Sequence, residues 1–63
     1  MTRQEIEKAI ETQETVIMYR PGISNVRVQI NKLSDYDDNV AIIRHEGDSK
    51  ANHFACHIRN LGK

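Results

Sequence analysis

Two segments of the chain alternate apolar and polar residues in the way that a sheet buried on one side requires. They run from Asn25 to Asn31 and from Asn39 to Arg44, and a polar segment separates them. In the first segment one face is apolar and the other polar: Val26, Val28 and Ile30 against Arg27, Gln29 and Asn31. This pattern predicts two strands of an antiparallel sheet with one face on the core and one in water.

The segment before these strands carries the signals of a helix. Thr2 and Glu5 have the spacing of a capping box, in which each side chain accepts a hydrogen bond from the backbone N–H of the other residue. Ile6, Ala9 and Ile10 follow with helical spacing and form one narrow apolar stripe. We therefore expect an N-terminal helix that covers one end or edge of the sheet.

The remaining elements follow from composition and turn residues. β-Branched and aromatic residues favour strands, and the Pro-Gly pair at positions 21 and 22 favours a type II turn. The expected strands are Thr15–Tyr19, Asn25–Leu33, Asn39–His45 and Asn52–Ile58. The fold class is α+β and mostly β. One small domain over residues 1–63 has an N-terminal helix and then an antiparallel four- to five-stranded meander, which forms a small barrel or a strongly bent sheet.

Length and composition bear on assembly and on location. A domain of 63 residues buries only about 60% of the surface that its unfolded chain exposes, so its core is small. With one cysteine, no disulfide can form within the chain. We therefore expect a homo-oligomer. No apolar leader or membrane-spanning run is present, and this predicts a cytoplasmic protein with no membrane partner.

The charges sum to zero but are sorted along the chain. Residues 1–14 and 34–48 carry net charges of −2 and −4, and residues 15–33 and 49–63 carry +3 each. Sorting of this kind predicts a surface with acidic and basic regions. The zero total argues against a broad, non-specific binder of polyanions.

Two short motifs resemble those of the Sm-like (SH3-type) small β-barrels. In the segment 35–40 an Asp is followed four residues later by Asn39, which opens a strand, and Ile58-Arg59-Asn60-Leu61 is similar to the second motif of that family. The resemblance implies an N-terminal helix with five strands and a nucleobase between the two loops. It also implies that Asn39 binds the base edge, that Arg59 packs on its face, and that rings assemble through the fifth strand.

No catalytic or metal motif is evident. His45, His53, Cys56 and His57 include zinc-ligand types, but strand alternation places Cys56 on the face opposite His53 and His57. The same geometry prevents a Cys–His nucleophile pair. The Asp-rich segment 35–38 lacks the spacing of a calcium loop and suits a turn. We expect no enzyme activity, no metal and no cofactor.

These observations favour binding over catalysis. The first hypothesis is a small non-enzymatic binding module, an oligomeric accessory or inhibitor protein of the phage or mobile-element type, that acts by occupying a protein partner. The alternative is an Sm-like binder of a nucleotide or a short RNA. Arginine with Asn or Gln suits phosphate and base-edge contacts. The expected ligand-binding residues are Asn39, Arg59 and Asn60, with Arg27 and Arg44 as supporting phosphate contacts.

Overall fold

The N-terminal helix begins where the capping box predicts. In the computed structural model, which describes residues 1–63, helix α1 spans Arg3–Thr12. The Thr2 hydroxyl accepts a hydrogen bond from the Glu5 N–H at 3.2 Å, and the Glu5 carboxylate accepts one from the Thr2 N–H at 3.0 Å. No helix of the protein is long and apolar enough to cross a membrane.

Five strands follow the helix, so the prediction of a short fifth strand is confirmed. Each of the four predicted strands forms but is shorter than expected by one to three residues. The strands are β1 Val16–Met18, β2 Val26–Leu33, β3 Val40–His45, β4 Phe54–His57 and β5 Leu61–Gly62. A short 3-10 turn, Ile58–Asn60, joins β4 to β5. The predicted type II turn is consistent with a positive φ of 74° at Gly22 and a hydrogen bond from Ile23 N to Arg20 O.

The strands form one antiparallel sheet in the order β4-β3-β2-β1-β5. The sheet does not close into a barrel, because β4 and β5 are its two edges and do not pair with each other. Only the three residues of Ile58–Asn60 separate these edges in the chain. Because so short a link spans at most about 14 Å, the sheet must bend until its edges approach at this corner. Of the two predicted forms, a small barrel and a strongly bent sheet, the protein adopts the bent sheet.

The core lies between α1 and one face of the sheet. In β2, Val28 and Ile30 are fully buried, as the alternation predicts, and α1 contributes Ile6 and Ala9. The complete core has eight buried apolar residues: Ile6, Ala9, Val16, Val28, Ile30, Ala41, Ile43 and Leu61. The opposite face of the sheet, which we call the outer face, carries the alternate side chains of each strand.

A β-bulge changes which residues of β2 reach the outer face. Ile30 pairs with Ile43, but Lys32 pairs with Ile42, so Asn31 is the extra residue between them. As a result Asn31 and Lys32, although adjacent in sequence, both lie on the outer face. The alternation does contain a sign of this shift, because Lys32 stands where a regular strand would have placed an apolar residue.

Candidate functional site

The fold brings together three of the predicted binding residues. Asn39 is about twenty positions before the adjacent pair Arg59 and Asn60 in the sequence. The backbone N–H of Ile58 donates to the carbonyl oxygen of Asn39 at 2.9 Å, one step beyond the pairing of β3 with β4. Arg59 and Asn60 follow Ile58 directly. We call Asn39, Arg59 and Asn60 the loop-end trio.

The backbone of the loop-end trio is held in place, and its side chains are free. The Asn39 N–H donates to Asp37 Oδ1 at 2.8 Å, and the Arg59 N–H donates to His57 Nδ1 at 3.1 Å. None of the three side chains makes a hydrogen bond within the protein. The side chains of Asn39 and Arg59 are exposed, whereas Asn60 is half-buried. The trio can therefore contact a ligand without first breaking an internal bond.

The charges around the loop-end trio are mixed. Arg3 Nη1 lies 3.2 Å from Asp38 Oδ2, and Asp37 flanks Asn39 on the same loop. The N-terminal amine of Met1 donates to Ile58 O at 3.1 Å. Asp37 and Asp38 would repel a phosphate even through the screening of solvent, but Asp38 is paired with Arg3. Charges of both signs therefore surround the loop-end trio, and it is not a purely basic site.

Arg44 lies at the end of β3 away from Asn39, and Arg27 lies near the start of β2. Arg44 is four residues along β3 from Val40, which is about 13 Å at the usual rise of a strand. The Arg27 guanidinium lies 3.1 Å from the carboxylate of Glu46, and both side chains are largely exposed. The structure therefore does not bring Arg44 to the loop-end trio. Arg27 pairs with Ile17 of β1, which pairs with Gly62, two residues after Asn60, so Arg27 lies two strands across the sheet from the β5 side of the trio.

Arg44 is instead the centre of a polar cluster on the outer face. Its side chain donates to Gln13 Oε1 at 2.9 Å, to Gln29 Oε1 at 3.4 Å and to Asn31 Oδ1. Arg44 is only 7% exposed, forms no ion pair, and has a buried Nε without a partner. Amide oxygens thus solvate a buried cation in the absence of any carboxylate. We call Arg44, Gln13, Gln29 and Asn31 the Arg44 cluster.

Gln13 is the member of this cluster that sequence reasoning missed. It caps the C-terminus of α1 in the left-handed conformation, with φ of 56°. Its side-chain amide donates to Ile10 O at 2.7 Å and to Ile30 O at 3.1 Å. Its backbone carbonyl accepts from Gln29 Nε2 at 2.9 Å. The bonds to Ile30 and Gln29 join the end of the helix to β2. A glutamine between a helix and a strand gives no sequence signal for such a role.

A cavity of about 360 Å³ opens on the outer face beside the Arg44 cluster. Its volume is at the lower end of the range for small-molecule sites. Lys32 Nζ lies 3.2 Å from Asp35 Oδ2, and His53 Nδ1 lies 3.1 Å from Lys50 O. The lining residues are Asn31, Lys32, Ser34, Asp35, Tyr36, Ile42 and His53. No pattern in the sequence groups these residues, and the bulge in β2 supplies two of them.

Tyr36 is the most exposed apolar side chain of the protein. It is 99% exposed and lies on the loop between β2 and β3, at the rim of the cavity. The Tyr36 N–H donates to Ser34 Oγ at 3.1 Å, so its backbone is held by a local turn. The loop ends at Asn39, and it therefore connects the cavity to the loop-end trio.

Cys56 and His57 lie on opposite faces of β4, as strand alternation predicts, whereas His53 precedes the first residue of β4. Cys56 packs against the core and is half-buried, and this burial raises the pKa of its thiol. His57, its neighbour, points to the outer face and accepts the Arg59 N–H. No group of three His, Cys, Asp or Glu side chains in the protein is arranged to hold a metal ion.

Comparison of the chain with protein-family models, with curated proteins and with solved structures finds no match. The resemblance to Sm-like small barrels therefore rests on the two motifs around Asn39 and Arg59 and stays a prediction.

Proposed function

We propose that the protein is a small non-enzymatic binding module, an oligomeric accessory or inhibitor protein that acts by occupying the surface of a protein partner. The observation that carries the proposal is Tyr36, a large aromatic side chain that is 99% exposed on the loop leading to the loop-end trio. Tyrosine and arginine are enriched at the centres of protein interfaces. Tyrosine also loses little conformational entropy when it is immobilised, because it has two side-chain torsions.

The charges of this loop favour a protein partner over a nucleic acid. Asp35, Asp37 and Asp38 surround Tyr36, and Arg59 lies at the base of the loop. A protein surface can match an aromatic group with acidic and basic groups on either side, whereas a phosphate backbone would meet the carboxylates. The partner that fits has an apolar pocket for the tyrosine ring and a basic rim.

Affinity capture with matched variants tests this proposal. The wild type, Tyr36→Ala and Ile23→Ala are immobilised and exposed to an extract of the source cells. Ile23 is the control because it is also an exposed apolar residue, at 62%, but lies in the turn between β1 and β2. We expect a protein that the wild type and Ile23→Ala retain and Tyr36→Ala loses, and that binds the purified wild type in a calorimetric titration. If no retained protein depends on Tyr36, the proposed interface is wrong.

A nucleotide or short RNA is the second candidate ligand, because the bond between Ile58 N and Asn39 O aligns the two loops that the Sm-like resemblance implies. Asn39 would bind a base edge, and Arg59 would supply a cation and a stacking plane.

Calorimetric titrations of short RNAs and of cyclic and linear nucleotides test the second candidate. Arg59→Ala should abolish binding. The control Lys50→Ala also removes one positive charge, but from the loop between β3 and β4 at the end of these strands away from Asn39 and Ile58, and it should leave binding unchanged. If the wild type binds none of these ligands at moderate salt, the second candidate is excluded. Equal losses in both variants would show an unspecific charge effect instead.

A further inference from the structure

The two edges of the sheet differ in whether their outward backbone groups are already occupied. At the β5 edge the Tyr19 N–H donates to Asn60 O. Because hydrogen-bonded and non-hydrogen-bonded pairs alternate along antiparallel strands, the N–H and C=O groups of the next residue, Leu61, point away from β1. Both of these groups have internal partners. The Leu61 N–H donates to Ile58 O, and Leu61 O accepts from the Met1 amine at 2.7 Å. The β5 edge therefore offers little to a further strand.

At the β4 edge no backbone N–H or C=O within the protein occupies the outward groups. The Ile58 N–H donates to Asn39 O, and along an antiparallel strand every second residue hydrogen-bonds to the neighbouring strand. Phe54 and Cys56 therefore hydrogen-bond to β3, while the backbone N–H and C=O groups of Ala55 and His57 point away from β3, past the edge of the sheet. No backbone hydrogen bond outside the pairing with β3 involves Ala55 or His57. Ala55 thus presents a free N–H and C=O, and His57 a free N–H and a C=O whose one contact is a weak hydrogen bond from Cys56 Sγ at 3.5 Å.

The β4 edge also lacks the features that normally prevent a strand from pairing with another chain. Edge strands are protected by charged side chains, proline, bulges or a covering element. The segment Ala51–Ile58 has no Lys, Arg, Asp, Glu or Pro, and the pairing of β3 with β4 has a regular register. An uncharged, regular edge of this kind is typical of a strand that is covered in the assembled protein.

We infer that β4 pairs antiparallel with β4 of a second copy of this chain about a two-fold axis. The outward residues set the register, since each Ala55 can exchange two backbone hydrogen bonds with His57 of the second copy. Cys56 then lies opposite Cys56 of the second copy. This dimer specifies the oligomeric part of the proposed function and rests on it, but it does not depend on the Tyr36 interface.

The side chains support the same register. Phe54, Cys56 and Ile58 are half-buried and pack against the core on the inner face of the sheet. In the proposed pairing Phe54 lies opposite Ile58 of the second copy, and the reverse pair forms by symmetry. Aromatic and β-branched side chains are a favourable cross-strand pair. The edge is therefore self-complementary, as an interface with two-fold symmetry requires.

Sedimentation equilibrium over a range of concentrations tests the pairing. The wild type should reach twice the 7.3 kDa mass of the chain, and Ala55→Pro should stay at 7.3 kDa. Proline at position 55 removes an outward N–H and no internal bond, so the far-ultraviolet circular dichroism should be unchanged. Ala55→Thr is the matched control, because it keeps the N–H and should dimerise like the wild type.

Mild oxidation tests the register without relying on the proline variant. The wild type should form a disulfide-linked dimer through Cys56, because residues directly opposite in a non-hydrogen-bonded pair have close Cα atoms. The control protein combines Cys56→Ala with Ala55→Cys. It keeps one cysteine per chain but displaces it from the two-fold axis, so it should cross-link much less.

The outcomes separate this inference from the proposed function. A dimer that Ala55→Pro leaves intact and that does not cross-link through Cys56 would overturn the β4 pairing and leave the oligomeric module standing. A wild type that stays at 7.3 kDa at every concentration would overturn the pairing and the oligomeric part of the proposal together. If Ala55→Pro fails to fold, the cross-linking comparison decides.

Discussion

Arg44 and Arg59 show how differently the same side chain is used in two regions of this small sheet. Arg44 is 7% exposed and donates to three amide side chains on the outer face. The Arg59 side chain is exposed and bonds to nothing within the protein. A buried cation without partners would be costly, and the amides offset that cost. Arg44 is therefore a structural residue, and Arg59 is available to bind a partner.

The largest expected effect comes from breaking the Arg44 cluster. Arg44→Ala should lower the free energy of unfolding by about 3 kcal/mol, because it leaves three half-buried amide oxygens without their donor and opens space between them. Urea denaturation followed by circular dichroism measures this loss. Arg44→Lys is the matched variant. It keeps the positive charge but lacks the planar guanidinium with its several N–H donors, so it should recover only part of the lost free energy. Equal stability of Arg44→Ala and the wild type would contradict the structural role.

Gln13 tests the same cluster from the helix side. Gln13→Ala should cost about 2 kcal/mol, since it removes bonds to Arg44, Ile10 and Ile30. Gln13→Gly loses the same bonds but suits the left-handed backbone, so it should be more stable than the alanine variant by about 0.5 to 1 kcal/mol. Thermal unfolding of the two variants in parallel measures the difference. An alanine variant as stable as the glycine variant would argue against the left-handed cap.

The capping box supplies an exposed polar contact for comparison with the buried ones. Thr2→Ala should cost about 1 kcal/mol, the usual effect of losing a helix N-cap. Because this contact is local and exposed, the variant should leave the Arg44 cluster and the loop-end trio unchanged. Denaturant titration measures the loss, and an unaltered midpoint would show that the cap contributes nothing.

Glu5 makes part of this cap dependent on pH. The Thr2 backbone N–H and then the Lys63 side chain lower the pKa of the Glu5 carboxyl below its ordinary value. A group whose pKa is lower in the folded state stabilises the fold above its unfolded pKa and loses that contribution as the pH falls through the folded pKa. Melting temperatures of the wild type and Glu5→Gln should therefore differ at neutral pH and converge in acid. A constant difference would contradict the assignment.

Arg59→Ala is the counterpart of Arg44→Ala and has the smallest expected effect on folding. The free energy of unfolding should change by no more than about 0.5 kcal/mol, because the side chain makes no internal contact that the fold needs. The same denaturant titration compares both arginine variants side by side. A loss as large as that of Arg44→Ala would remove the distinction between a structural and an available arginine.

Part of the candidate site could be predicted from the sequence and part could not. The loop-end trio could be predicted because its residues sit at the ends of strands whose alternation is plain in the sequence, and strand ends of a meander meet. The cavity beside Tyr36 could not be predicted, because it depends on a bulge that turns Asn31 and Lys32 to the same side. The Arg44 cluster was also unpredictable, since it needs Gln13 to reach across from the helix.

Signals that lie within a few residues of one another are sufficient to predict the local elements of this protein. The capping box at Thr2, the alternation of β2 and β3 and the turn at Gly22 all arise from contacts between near neighbours. Only the folded chain shows that the sheet stays open, that Arg44 is buried and that Gln13 reaches Arg44 from the helix. These features depend on which distant segments pack together and on how far the sheet bends. A pattern of neighbouring residues does not specify which distant segments pack together or how far the sheet bends, because both depend on the whole folded chain.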